Sequence, residues 1–225
     1  MNKHYERDLE KLQSLLSDQV GRVRNNARIV LLMSGEGGAL VPDDVLDREE
    51  VILEEECLKI SALHQPVAHD LRYLTGVLKS NRDLERIGDL LQLINDLNIK
   101  VAEVQSTLNT DEIDFPALFG QTEVMVSMAC SSLNEVDAES AKQVWADNKT
   151  VSQKCLQVAG ILSTYMKGNQ VNDLLLNSFL GMRVLERIAA HASSIAKNVL
   201  YIDTGEIVRH RRKEVLGDMA HPSDA

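Results

Sequence analysis

The sequence predicts an all-α protein of two tandem three-helix bundles related by an internal repeat, and three observations carry that prediction. Apolar residues recur at three-four spacing through residues 71–100 (Leu71, Leu74, Leu78, Leu84, Ile87, Leu91, Ile94), the pattern of an amphipathic helix. The phrase Leu84-Glu85-Arg86-Ile87 returns as Leu185-Glu186-Arg187-Ile188, with Leu74, Arg82 and Ile94 falling on Leu175, Arg183 and Ile195, so one helical unit occurs twice. Aromatic residues are only 4% of the chain and β-branched runs are few, which disfavours an all-β fold.

Each element follows from local signals. A first helix over 3–33 carries Leu9, Leu12, Leu16, Val23, Ala27 and Val30 on its inner face, and the glycine-rich run 34–38 ends it. A second, over 42–63, has the seam Leu46, Glu50, Leu53, Cys57, Ile60, His64, with a carboxylate inside a heptad-like spacing. Gln65-Pro66 breaks it and opens the long third helix, which ends near residue 100. Residues 109–114 form a polar linker between the repeats. A fourth helix over 115–136 shows Phe115, Leu118, Met125, Ala129 and Val136; a fifth over 138–167 has the seam Ala141, Val144, Asn148, Val151, Cys155, Val158, Leu162, Tyr165. A sixth, over 171–203, repeats the third. Aligning Cys57 with Cys155 sets the register of the second helix on the fifth and places Glu50 on Asn148. The expected domains are 1–108 and 109–208, followed by a polar, disordered tail over 209–225 that begins basic.

Composition narrows the function classes. A formal net charge of −10 disfavours a duplex nucleic-acid partner. Cys57, Cys130 and Cys155 have no metal-type spacing, and an odd number without a signal peptide reads as reduced thiols in a cytoplasmic protein. The N-terminal run is too charged for a secretory signal, and no apolar run approaches the ~20 residues that span a bilayer.

The chemistry-bearing residues are acids. Glu50 and Glu54 lie one turn apart on the second helix, and Glu85 and Asp89 one turn apart on the third. If the helices are neighbours, the pairs can face each other and offer hard oxygen ligands suited to Mg, Mn or Fe. Glu50 sits at a core-seam position, where an unpaired carboxylate is costly, and Gly88 opens space beside Asp89 for a backbone or a ligand. The competing reading is an ordinary wet face, with Glu55 paired to Lys59, Glu85 to Arg82 and Asp89 to Arg86. No helix has the Glu-x-x-His pairs of a di-iron bundle, and no phosphate loop or nucleophile elbow is present. His64 and His69 flank the Pro66 turn as capping or surface groups.

Three stretches resemble the PhoU-type regulators of phosphate uptake: Cys57-Leu58-Lys59-Ile60 running into Gln65-Pro66-Val67-Ala68-His69-Asp70-Leu71-Arg72; Asp83-Leu84-Glu85-Arg86-Ile87-Gly88-Asp89; and Leu185-Glu186-Arg187-Ile188 running on to Tyr201-Ile202-Asp203-Thr204-Gly205-Glu206. The resemblance implies two tandem three-helix bundles and acidic motifs holding multinuclear iron or zinc clusters, which fall here on Glu50 with Glu54 and Glu85 with Asp89. It also implies action without catalysis, through the ATPase subunit of a phosphate importer and the membrane sensor kinase of the starvation response. The membrane would then be met only peripherally, through partners. In the second half Ala189-Ala190 replace the Gly-Asp that follows Glu-Arg-Ile, so a metal site there is not expected. The oligomeric state stays open, with a homodimer one candidate. Two other readings remain: a metal-dependent enzyme using the same carboxylates, and a helical interaction module without metal.

Overall fold

The chain folds into helices wherever the apolar periodicity places them, and no strand occurs among the described residues. The computed structural model describes residues 3–32, 39–108, 114–168 and 171–219. The helices are α1 (Lys3–Leu31), α2 (Asp43–His64), α3 (Ala68–Leu97), α4 (Val101–Leu108), α5 (Phe115–Glu135), α6 (Ala138–Gly168), α7 (Asp173–Thr204) and α8 (Arg212–Leu216), followed by a 3-10 turn, Gly217–Met219. The glycine-rich end expected for the first helix and most of the linker at 109–114 lie outside the described residues.

Most of the expected seam positions are buried, while Leu9, Glu50, His64, Leu78, Val136, Asn148 and Tyr165 are only half-buried. Leu12, Leu16, Val23 and Ala27 of α1, Leu46, Leu53, Cys57 and Ile60 of α2, and Leu74, Leu84, Ile87, Leu91 and Ile94 of α3 form one cluster with their counterparts on α5, α6 and α7. Leu71 departs from its stripe and is largely exposed, because α3 begins only at Ala68 and its first turn reaches past the core. The three thiols are buried and unbridged, and burial pushes each up to about 12. Asp114 caps α5 by accepting from Ala117 N at 2.9 Å, and Asn172 caps α7 by accepting from Leu175 N at 3.0 Å.

The halves join along α3 and α7, which cross antiparallel with reciprocal contacts. Gly76 of α3 receives Ile202 of α7, and Gly181 of α7 receives Ile99 just beyond α3. A Cβ at Gly76 would stand 2.3 Å from Ile202 Cγ1 and 2.6 Å from its Cδ1. Because Ile202 is fully buried, it has nowhere to retreat. Gly76→Ala is therefore expected to destabilise the protein, since overpacking of about 1–3 kcal/mol exceeds the roughly 1 kcal/mol gain in helix propensity. Urea denaturation followed by circular dichroism checks this; a raised midpoint would contradict the close approach.

Several local expectations give way to tertiary contacts. His64 is neither a cap nor a surface group: its Nε2 lies 2.9 Å from Asp8 Oδ2, and its ring packs 5.0 Å from that of Tyr5. Tyr5 in turn donates to Asp70 at 2.7 Å. Lys59 reaches Glu56 at 2.7 Å and Asp8 at 3.2 Å instead of Glu55, so its charge ties α2 to α1. The segment expected as a disordered tail carries α8: Leu216 is buried, and the Arg212 guanidinium lies 5.7 Å from the Trp145 ring while donating to the Ala146 carbonyl at 3.2 Å. Residues 220–225 lie outside the described part.

Candidate functional site

The turn at Gln65, which takes a left-handed φ of 47°, folds α3 back along α2. Leu46 then sets the register of the pair. Its Cδ1 occupies the place of the missing Gly88 Cβ, 2.6 Å from where that atom would sit, so the space beside Asp89 is filled by a leucine and not by a ligand or another backbone. Close packing there offsets the helix cost of a mid-helix glycine.

This register brings Asp43 and Asp47 of α2 against Asp89 of α3. One carboxylate oxygen from each lies within 4.8 Å of the others. Asp43 and Asp47 are exposed and Asp89 is partly buried, so the trio opens to solvent. Of the four acids expected as ligands, only Asp89 belongs to this set. Glu50 and Glu85 lie a turn further along the same groove, where the Glu50 carbonyl accepts from Asn81 Nδ2 at 2.8 Å, and Glu54 is exposed beyond them. Asp43 and Asp47 were not singled out from the sequence, although Asp43, Asp47, Glu50 and Glu54 share one side of α2.

The groove is electrostatically strained. Burial first, then Asp89 and Asp47, raises the Asp43 carboxyl above its ordinary range. Burial, then Glu54 and Asp47, does the same for Glu50. Glu85 rises to about 7, through burial first and Asp89 second, with Arg86 pulling the other way. Arg86 is engaged with Asp89 at 2.6 Å; its Nε stands 3.3 Å from Glu85 Oε2 without forming a hydrogen bond, and that oxygen is buried with no hydrogen-bond partner. Carboxylates this close share a proton or a cation. The donor set is oxygen only, without imidazole or thiolate, which favours a hard cation such as Mg, Mn or Fe over zinc. A metal therefore fits the residues present: Asp43, Asp47 and Asp89 would hold it, with the Glu85 carboxyl electrostatically coupled to Asp89 beside them.

The second repeat has lost this chemistry. With Cys57 aligned to Cys155, Ala141 and Trp145 stand where Asp43 and Asp47 do, and Ala190 stands for Asp89. Glu186, the counterpart of Glu85, accepts from Ser152 at 3.1 Å and pairs with Arg183.

A pH dependence follows with a defined sign. Glu85 holds its proton more tightly in the folded state than its ordinary value of 4.5 allows, so its contribution to stability is full below that value and lost as pH rises through about 7. Chelator-treated protein should lose thermal stability between about pH 5 and pH 8, and Glu85→Gln should flatten that slope. An unchanged slope in the variant would exclude Glu85 as its source.

No helix among the described residues is long and apolar enough to cross a membrane. The family model for the PhoU domain matches residues 39–97 and 116–199, one segment in each repeat. The chain is 30% identical over 217 residues to the "phosphate-specific transport system accessory protein PhoU homolog" of Pseudomonas aeruginosa, covering 93% of this chain and 89% of that protein. It is 31% identical over 216 residues to "homolog 1" of Thermotoga maritima, covering 90% of each. The crystal structure of PhoU from Pseudomonas aeruginosa superposes with a TM-score of 0.76 at 30% identity, over 90% of this chain and 100% of that one. The phosphate transport system regulatory protein PhoU from Streptococcus pneumoniae, at 18% identity, shares the fold with a TM-score of 0.63, over 91% of this chain and 96% of that one. These relatives are named as accessory and regulatory proteins, not as enzymes. The chain belongs to the PhoU family, a family of non-enzymatic accessory proteins of phosphate transport.

Proposed function

We propose that this chain is a cytoplasmic regulator of phosphate uptake and of phosphate-starvation transcription, acting by protein contact, with a metal held in its first bundle. The observation that carries the regulatory reading is similarity along both repeats to accessory proteins of phosphate-specific transport systems. Its partners are the ATPase subunit of a phosphate importer and a membrane sensor kinase, so it meets the membrane only through them. The functional units are 1–108, which carries the acidic groove, and 109–208, which keeps the helical frame without the acids. A homodimer would present two such grooves. Three buried, unbridged thiols agree with a reducing compartment.

The metal reading rests on Asp43, Asp47 and Asp89 and on the buried Glu85 oxygen, which has Arg86 nearby but no hydrogen-bond partner. Iron suits the oxygen ligands better than zinc does. The protein offers contact surface and charge, and no catalytic step is assigned to the groove.

Affinity capture of the importer's ATPase subunit from cells expressing this chain tests the contact. The ATPase should be recovered at low salt and lost as salt rises, because exposed charges are screened beyond ~8 Å at physiological ionic strength. Recovery of neither ATPase nor kinase after crosslinking would overturn the reading.

A further inference from the structure

Against a formal charge of −10, one cavity is lined by cations. It lies where α3 crosses the end of α7 and has a volume of about 220 Å³. Lys79 of α3, Lys197, Asn198 and Tyr201 of α7, and Ile207 and Arg209 from the strap after α7 surround it. Lys79 stands 4.9 Å from the Tyr201 ring centroid. None of Lys79, Lys197 or Arg209 makes an ion pair among the described residues, and the three converge on one cavity.

Lys197 is the most constrained of the three. Burial, then Arg209 and Arg212, disfavours its charge; Asp83 alone favours it, and Asp83 is already engaged by His191 Nδ1 at 2.9 Å. The internal repeat supplies a control. By the register that places Leu185 on Leu84, the position of Lys197 is occupied in the first repeat by Asp96, and Leu180 occupies that of Lys79 in the second. The cationic lining is thus particular to this end of the molecule.

We propose that this cavity binds a small tetrahedral oxyanion of the phosphate class, held by Lys79, Lys197 and Arg209. An anion supplies the negative charge that Lys197 lacks, and ammonium and guanidinium groups make charge-assisted hydrogen bonds to phosphate oxygens. The cavity is smaller than the ~300–1,000 Å³ of pockets for drug-sized ligands, which favours a bare oxyanion or a phosphoryl headgroup over a nucleotide. Its lining comes from α3, α7 and the strap that leads to α8, so an occupant bridges both repeats and the C-terminal segment. The proposal is separate from the regulatory role, and its failure would leave that role standing.

Equilibrium dialysis of chelator-treated full-length protein against inorganic phosphate, with flotation on phosphatidic-acid and phosphatidylcholine vesicles, provides the test. Saturable binding is expected, weakened about tenfold or more by Lys197→Gln and by Lys79→Gln, and unchanged by Lys154→Gln, whose ammonium faces Gln121 on the α5–α6 side. Lys79 is exposed, so its variant keeps the test decisive if Lys197→Gln fails to fold. Binding of free phosphate identifies the soluble anion as the source; binding only to phosphatidic-acid vesicles, with the same variant sensitivity, identifies the headgroup. Absence of both, or binding indifferent to both lysine variants, would overturn the proposal.

Discussion

Asp89→Ala is expected to weaken binding of Mn²⁺, a hard oxygen-seeking probe, by at least about 10–100-fold while leaving the fold intact. Loss of a group that merely supports a ligand costs about 10–100-fold in metal affinity, so removal of a ligand itself sets that range as a floor. Asp89 is the α3 member of the trio with Asp43 and Asp47, and no histidine or cysteine in the set can replace it. Because only one Cβ carboxylate is lost, from a partly buried position, helix and core are spared. Asp43→Ala should behave alike, whereas Glu54→Ala and Glu186→Ala should change little, one being exposed beyond the trio and the other paired with Arg183. Equilibrium dialysis at pH 8 measures this, above the value near 7 at which Glu85 gives up its proton. Equal losses in Asp89→Ala and Glu54→Ala would return the site to the Glu50–Glu54 register, and an unaffected Asp89→Ala would remove it from this groove.

Trp145→Ala is expected to cost about 3–5 kcal/mol of stability, the range for truncating a buried tryptophan. Trp145 is 3% exposed and stands, in the second repeat, where the first has the exposed Asp47. The aromatic ring takes the place of an exposed carboxylate and turns that position into core, and Arg212 of α8 covers the ring from outside. Loss of the ring should therefore also release α8, which Arg212→Ala would do with a smaller cost of about 0.5–1 kcal/mol. As the single tryptophan, Trp145 reports on that release through its own fluorescence in the Arg212 variant. A loss under about 1 kcal/mol in Trp145→Ala would mean that the ring is not packed as described.

The long helices were legible because their stability comes from apolar stripes that any reader of the sequence can count: Leu74, Leu84, Ile87, Leu91 and Ile94 recur at helical spacing and are all buried. α4 and α8 were not legible. With eight and five residues, they are too short to be helical on local propensity and exist through contacts made by Val104, Leu108 and Leu216. The site was half legible for a similar reason. Glu85 and Asp89 stand out within α3, but their partners across the groove depend on the α2–α3 register, which Leu46 and Gly88 set by side-chain packing. In isolation, Asp43 reads as an acid favoured at a helix N-terminus. The pairing of His64 with Asp8 likewise joins helices far apart in sequence and leaves no local trace.

The acidic groove of the first bundle is proposed to serve an accessory role in phosphate control. Expression of a phosphate-starvation reporter in phosphate-replete cells tests it most directly. Four strains are compared: wild type, a deletion of this chain's gene, and the deletion complemented by wild-type chain or by chain carrying Asp43→Ala, Asp47→Ala and Asp89→Ala together. The predicted result is a reporter switched on by the deletion, silenced by the wild-type chain and left on by the triple variant at normal protein levels. A reporter that stays silent in the deletion strain would contradict the regulatory role, and full silencing by the triple variant would contradict the groove's part in it.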